Sequence, residues 1–169
     1  IYDNLISTVK KNIAPLSKFW KLKKQALGVN KLHLYDTYAP LIKDIQKKYT
    51  EREAEELLYQ SLRVLGDTYI TDLKQAFKER WIDFCPNDGK RNGAYCTACY
   101  NVHPYVLLSF DGSLDNVSTL AHELGHAMHY YYAIKNQSYQ DYGYSIFVAE
   151  VASQVNQILL SKYLIQKTN

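Results

Sequence analysis

Residues 113–135 read SLDNVSTLAHELGHAMHYYYAIK, and much of the fold follows from what this segment must bury. Its apolar side chains recur at three- and four-residue spacing, which predicts an α-helix with one buried face. Ser113 or Asp115 can cap the start of this helix, where the first backbone N–H groups lack partners. The apolar positions are Val117, Leu120, Ala121, Leu124, Met128 and Tyr131.

Two histidines of this predicted helix can bind one metal ion. His122 and His126 lie one turn apart, about 6 Å along the axis and about 40° around it. Glu123 is displaced by about 100° from His122, so it flanks the metal. A general base must lie there to take a proton from a zinc-activated water, as in the His-Glu-x-x-His peptidases. The competing interpretation is two histidines that share a helical face by chance.

A third metal ligand is needed, because catalytic zinc usually has three protein ligands and one open position. After Glu123 the chain contains two acids, Asp141 in a segment typical of a loop and Glu150. Glu150 lies in an apolar stretch that predicts a second, strongly buried helix. A buried carboxylate needs a partner, which would be zinc or a lysine or arginine of another helix. The positions predicted to be buried are Ile146, Phe147, Val151, Val155, Ile158, Leu159 and Leu160.

Longer segments carry a resemblance to a known family. They are KLHLYDTYAPL (31–41), ERWIDFCPNDGKRNGAY (79–95) and HPYVLLSFDGSLDNVSTLAHELGHAMH (103–129), with AEVAS (149–153) downstream. Together they resemble the thimet-oligopeptidase-like metallopeptidases, most closely the oligoendopeptidase F branch. Members of this family are several times longer, so we expect the chain to be an excised piece that carries the metal site.

The resemblance implies a zinc metalloendopeptidase that hydrolyses internal bonds of short oligopeptides. It implies one zinc ion per chain, with His122, His126 and Glu150 as ligands and Glu123 as general base and later proton donor. The family often has Asn-Glu where this chain has Asn156 and Gln157. A glutamate there could orient a zinc-bound histidine, whereas Gln157 could accept the same hydrogen bond without a charge. The alternative is a zinc-binding helical fragment that is inactive because substrate-binding parts are missing.

The resemblance and the periodicity together predict a mainly α fold, a helical zincin-like catalytic-domain fragment with a small β-sheet beside the metal helix. Residues 1–169 are expected to be part of a single catalytic domain, with a helical supporting region over about 1–80 and the strands and metal helices over 81–169. Residues 105–110 form the strongest predicted strand, and an extended peptide could add to its exposed edge. A short helix is predicted at 41–48.

Composition excludes several other classes of protein. Hydrophobic residues make up 47% and charged residues 22%, which is typical of a soluble globular protein. The net charge of +3 is too small to predict nucleic-acid binding. No apolar run reaches the roughly 20 residues that cross a membrane, and no signal-peptide pattern opens the chain. We therefore expect oligopeptide substrates as partners, neither nucleic acid nor membrane, and a cytoplasmic location.

The cysteines allow a rival metal site. Cys85, Cys96, Cys99 and His103 resemble a structural zinc site in residue type, although the loop between the first two cysteines is short. An odd number of cysteines argues against a disulfide framework. His129 lies on the face of His122 but about 10 Å further along the helix, too far to share one ion, so we expect it either to support a metal ligand by a hydrogen bond or to pack.

Overall fold

The computed structural model describes residues 1–41, 47–91 and 93–168, and the chain divides into two compact units, Ile1–Ile45 and Gln46–Asn169. The first unit contains helices α1 (Tyr2–Asn12) and α2 (Ala14–Ala26), followed by a 3-10 turn at Leu34–Tyr38. The helix predicted at 41–48 falls mostly outside the described residues. The predicted division of one catalytic domain near residue 80 stays a prediction.

Two short helices open the second unit, α3 (Glu51–Ser61) and α4 (Asp67–Lys78). Thr50 and Glu53 form the reciprocal cap of α3, since the Thr50 hydroxyl accepts from the Glu53 backbone N–H at 3.2 Å and the Glu53 carboxylate accepts from the Thr50 N–H at 2.8 Å. The hydrogen bonds that the Glu53 carboxylate accepts from the Thr50 N–H and from the Thr50 hydroxyl lower the pKa of Glu53. Gly66 separates the two helices with φ +99°, a backbone conformation that favours glycine.

A three-stranded sheet precedes the metal helix. Its strands are β1 (Ile82–Asp83), β2 (Ala94–Thr97) and β3 (Tyr105–Leu108), in the order β1-β3-β2. β3 pairs in parallel with β1 and antiparallel with β2. The strand predicted at 105–110 is therefore confirmed over four residues, but its predicted exposed edge is wrong. Strand β1 has only two residues and was too short to recognise from the sequence. Its pairing with β3 places β3 at the centre of the sheet.

Helix α5 (Leu114–Asn136) carries the histidine motif, and its start is held at two points. The Ser113 hydroxyl caps the helix by accepting from the Asn116 backbone N–H at 3.2 Å. One residue earlier, the Gly112 carbonyl accepts from the Tyr49 N–H at 2.8 Å. Gly112 has φ +78°, and a Cβ there would lie 2.8 Å from the Tyr49 carbonyl oxygen, so this approach requires glycine.

The core of the second unit lies between α3, α4, the sheet and α5. The predicted buried face of α5 is confirmed, except that Tyr131 is only partly buried. Asn156 of the last helix is 2% exposed, and its amide donates to the Tyr69 hydroxyl of α4 at 2.8 Å. The buried apolar residues are Ala54, Leu57, Leu58, Leu62, Leu73, Ala76, Trp81, Ile82, Val106, Leu108, Val117, Leu120, Ala121, Leu124, Ala127, Met128 and Leu160.

The last helix, α6 (Ile146–Thr168), packs mainly against α5. Its predicted strong burial is wrong, because of the seven positions named only Leu160 is buried and Leu159 is partly buried. The helix is apolar around most of its circumference, so periodicity could not indicate which side packs. Among the described residues, no helix combines the length and the apolar character needed to cross a membrane. Of the seven positions predicted to be buried, those that are 40 to 79% exposed are Ile146, Phe147, Val151, Val155 and Ile158.

Candidate metal centre

The two histidines of α5 project from one side of the helix, as their spacing predicts. Their ring centroids lie 4.9 Å apart with the ring planes at 84°. The His122 and His126 side chains are 22% and 15% exposed, so solvent reaches both of them only partly. Burial lowers the pKa of His126, although the nearby Glu150 carboxylate raises it. Burial therefore favours the neutral imidazole, which is the form that binds a metal.

Glu150 of α6 completes a three-residue cluster with the histidines. Its Oε2 lies 3.3 Å from Nε2 of His122 and 3.8 Å from Nε2 of His126. The Glu150 side chain is 45% exposed, so the assumption that it is a buried carboxylate was wrong. The Ser153 hydroxyl, one turn further along α6, donates to the same oxygen at 2.8 Å and holds the carboxylate in place.

The donor atoms of this cluster fit a zinc ion. A tetrahedral ion about 2.0–2.1 Å from each donor requires donor atoms roughly 3.3–3.4 Å apart. The three donor atoms lie within 4.8 Å of one another, the gap between His122 and Glu150 is 3.3 Å, and the gap between His126 and Glu150 is 3.8 Å, about half an ångström longer than such an ion requires. Two imidazoles and one carboxylate also match the donor types of a catalytic zinc site. Within the described part of the chain, no other group of three His, Cys, Asp or Glu residues is close enough to share an ion.

Gly125 allows the close approach of α6 on which the cluster depends. A Cβ at Gly125 would lie 2.6 Å from the Ser153 Cα and 2.7 Å from the Ala152 carbonyl oxygen. Both neighbours are backbone atoms, and Ser153 is fully buried. Since only a residue without a side chain fits there, the glycine between the two histidines determines how near Glu150 can come.

A chain of hydrogen bonds supports His122 from the side opposite Glu150. Nδ1 of His122 lies 3.2 Å from Oε1 of Gln157, in agreement with the acceptor role predicted for this amide. The Gln157 side-chain nitrogen donates to the Ser118 hydroxyl at 2.9 Å. Sequence reasoning missed Ser118 and Ser153. Ser118 lies one helical turn from His122 and Ser153 one turn from Glu150, which places each pair on one side of a helix. This spacing does not indicate which side chains adopt rotamers that form hydrogen bonds.

Glu123 lies outside the three-residue cluster, on the side of the sheet. It is 7% exposed, and burial raises the pKa of its carboxyl, an effect that Glu150 increases and His122 opposes. Burial, and to a smaller extent the charge of Glu123, raise the pKa of the Cys96 thiol in β2 to about 12. A buried carboxylate with a raised pKa is suited to accept and return a proton.

The rival cysteine site does not form. Cys85 and Cys99 are exposed, while Cys96 is partly buried near Glu123. His103 stacks on Trp81 with ring centroids 5.2 Å apart. The packing role expected for His129 is confirmed, since its ring stacks on Tyr144 at 3.8 Å.

Comparisons with known proteins identify relatives along the whole chain. The profile of Peptidase family M3 matches residues 1–169. Oligopeptidase PepF of Bacillus subtilis is 43% identical over 165 residues, which cover 98% of this chain and 25% of that protein. An oligoendopeptidase F homolog of Borreliella burgdorferi is 44% identical, covering 98% and 28% of the two chains.

A solved structure agrees with this result. A Chlamydophila abortus protein is 45% identical with a TM-score of 0.83, and the match covers 99% of this chain and 28% of the other. The chain thus spans about a quarter of the length of the curated relatives it matches.

Proposed function

Because this chain belongs to peptidase family M3, we propose that it carries the metal centre of a zinc metalloendopeptidase that hydrolyses internal bonds of short oligopeptides. The observation that carries the proposal is the convergence of His122, His126 and Glu150 on one point, with Glu123 buried beside them. The relatives named oligoendopeptidase F support the class of substrate.

His122, His126 and Glu150 would hold one zinc ion per chain. When bound, zinc supplies a Lewis acid that polarises the scissile carbonyl and makes water more acidic. The chain's own contribution is to present three donors with little rearrangement. Ser153 holds the Glu150 carboxylate by a 2.8 Å hydrogen bond, and Gln157 holds the far side of the His122 ring.

Glu123 would move the proton. Its carboxylate takes a proton from the attacking water as the water oxygen bonds to the carbonyl carbon of the substrate. The same carboxyl then gives that proton to the amide nitrogen as the C–N bond breaks, which releases an amine and a carboxylic acid. Burial suits both halves of this cycle, because it raises the pKa of the carboxyl from that of an ordinary glutamate toward the working pH.

The substrate backbone would lie along β2 rather than β3. Among the described residues, β2 pairs with β3 alone and so leaves its outer edge open to an extended peptide. This strand packs against α5, which carries Glu123, and the charge of Glu123 contributes to the raised pKa of Cys96 in the strand. A peptide paired with the outer edge of β2 would therefore run beside the general base.

Metal content and hydrolysis together test the proposal. Elemental analysis of the purified chain should find one zinc per chain, and a His122→Ala/His126→Ala double variant should have none. Zinc that is absent from the wild type, or that survives the double substitution, would refute the metal centre. Hydrolysis of an internally quenched oligopeptide, lost in Glu123→Gln, would establish the peptidase. Zinc without hydrolysis would favour the alternative, a zinc-binding helical module.

A further inference from the structure

We propose that Gln157 is a positioning residue for His122 and that Ser118 acts through Gln157. Because the Gln157 side chain is a neutral amide, the metal affinity of the chain is lower than a carboxylate at position 157 would give. The inference rests on the proposed metal centre. Gln157 contacts neither a substrate nor a reacting atom in this scheme. It acts on the orientation of the ring and on the position of its ring proton.

The two nitrogens of His122 face different partners. Nδ1 lies 3.2 Å from Oε1 of Gln157, and Nε2 lies 3.3 Å from Oε2 of Glu150. An amide oxygen can only accept, so this contact forms when the ring carries a proton on Nδ1. In the metal-free chain the Glu150 carboxylate favours a proton on Nε2, and a metal at the cluster takes the place of that proton. The ring proton is then on Nδ1, where Oε1 of Gln157 accepts its hydrogen bond, and this is the tautomer that metal binding needs.

Ser118 holds the other end of the amide. The Gln157 nitrogen donates to its hydroxyl at 2.9 Å, while Oε1 faces His122. With the amide reversed, its NH₂ group would point at Nδ1 and favour the wrong tautomer. Ser118 lies one helical turn before His122 on α5, and Gln157 lies two turns after Glu150 on α6. The same two helices therefore carry both the donors and their support.

The amide is a weaker support than a carboxylate would be. A charged acceptor makes a hydrogen bond roughly twice as strong as a neutral one and raises the basicity of the imidazole. Loss of a partner of this kind typically costs about 10- to 100-fold in metal affinity. Gln157→Glu preserves shape and length, and the Ser118 hydroxyl can then donate to the new carboxylate.

The test measures zinc affinity by competition with a chelator at one fixed pH. We expect Gln157→Ala to weaken binding about tenfold or more and Gln157→Glu to tighten it relative to wild type. Ser118→Ala should weaken binding by less, with no further loss in the Gln157→Ala background, because Ser118 acts only through the amide. Gln154→Ala is the matched control, since Gln154 is exposed on the same helix.

Either of two affinity results would overturn the inference. One is a Gln157→Ala chain that binds zinc within twofold of wild type, or no more weakly than the Gln154→Ala control. The other is a loss of zinc affinity in Ser118→Ala that adds fully to the loss in Gln157→Ala. The contact itself is read independently from the NMR signal of the Nδ1–H proton of His122 in the zinc-loaded chain. Wild type should show a downfield, hydrogen-bonded N–H that Gln157→Ala moves upfield, whereas identical spectra would contradict the role of Gln157. A wild-type chain that binds no zinc would refute the proposed function, whereas a Gln157→Ala chain with unchanged zinc affinity and spectrum would refute only the role of the amide.

Discussion

Replacing Gly125 with alanine should push α5 and α6 apart. The new Cβ would lie 2.6 Å from the Ser153 Cα, against the roughly 3.5–4.0 Å that two carbon atoms need. The contact is with backbone, so no side-chain rotation relieves it, and α6 must move outward by about 1 Å. Glu150 lies one turn before Ser153 and moves with it. Its distance of 3.3 Å from the His122 nitrogen would then exceed the separation that a tetrahedral ion allows, and its distance of 3.8 Å from the His126 nitrogen, already longer than that separation, would grow further.

Two opposing terms set the stability change. Alanine is about 0.8–1.0 kcal/mol better than glycine in a helix interior. Overpacking a close-packed contact costs about 1–3 kcal/mol, and a backbone clash belongs at the upper end of that range. We therefore expect a net loss of about 1–2 kcal/mol, which lowers Tm by about 2–8 °C in a chain of this size. Zinc binding should weaken about tenfold or more, because metal sites tolerate only a few tenths of an ångström in donor position.

Thermal unfolding of the metal-free chain and zinc competition titration would measure both effects. Gly143→Ala is the matched control. Gly143 is not among the glycines with a positive φ angle, and a Cβ there would meet nothing within 4 Å. The control should leave Tm and zinc affinity unchanged. A Gly125→Ala chain with an equal or higher Tm and wild-type zinc affinity would refute the argument that this glycine sets the position of Glu150.

Three further substitutions or labelling experiments test the site. Glu123→Gln should abolish hydrolysis while one zinc ion stays bound, and an active variant would exclude Glu123 as the base. In the metal-free chain the same substitution should raise Tm at neutral pH, because burial raises the pKa of Glu123 and folding therefore disfavours its charged form. This gain in Tm should shrink as the pH falls through the raised pKa of Glu123, and it should vanish below the ordinary glutamate pKa of 4.5. A gain in Tm that persists in acid would contradict this explanation. Glu150→Ala should weaken zinc binding about tenfold or more in the competition titration, and full retention would exclude it as a ligand. Cys85 and Cys99, which are exposed, should react with a maleimide in the native chain, whereas Cys96, with its pKa raised to about 12, should react only after unfolding, as mass spectrometry would show. Rapid labelling of all three in the native chain would contradict this.

Local patterns predicted the metal helix closely. The apolar spacing of residues 113–135 corresponds to α5 at Leu114–Asn136, and the cap at Ser113 is present. The resemblance to oligoendopeptidase F is confirmed by relatives that match almost the whole chain. Both predictions depend on signals within short segments. A helix places residues four apart on one side whatever surrounds it.

Predictions that depended on neighbours were less successful. β3 was recognised as a strand, but its two partners place it inside the sheet and move the open edge to β2. The apolar character of α6 predicted burial, yet one side of it faces outward, because composition does not say what another element will cover. Ser118 and Ser153 were missed for the same reason.

The order of residues along α5 was enough to bring His122 and His126 to one side of a helix and to set Glu123 beside them, since helical geometry is a local property of the backbone. The position of Glu150 is not local. It depends on how closely α5 and α6 pack. That distance is set by Gly125, because any side chain there would clash with the backbone of Ala152 and Ser153. The sequence therefore identified three candidate donors, and the packing of α6 on α5 brought their side chains within 4.8 Å of one another.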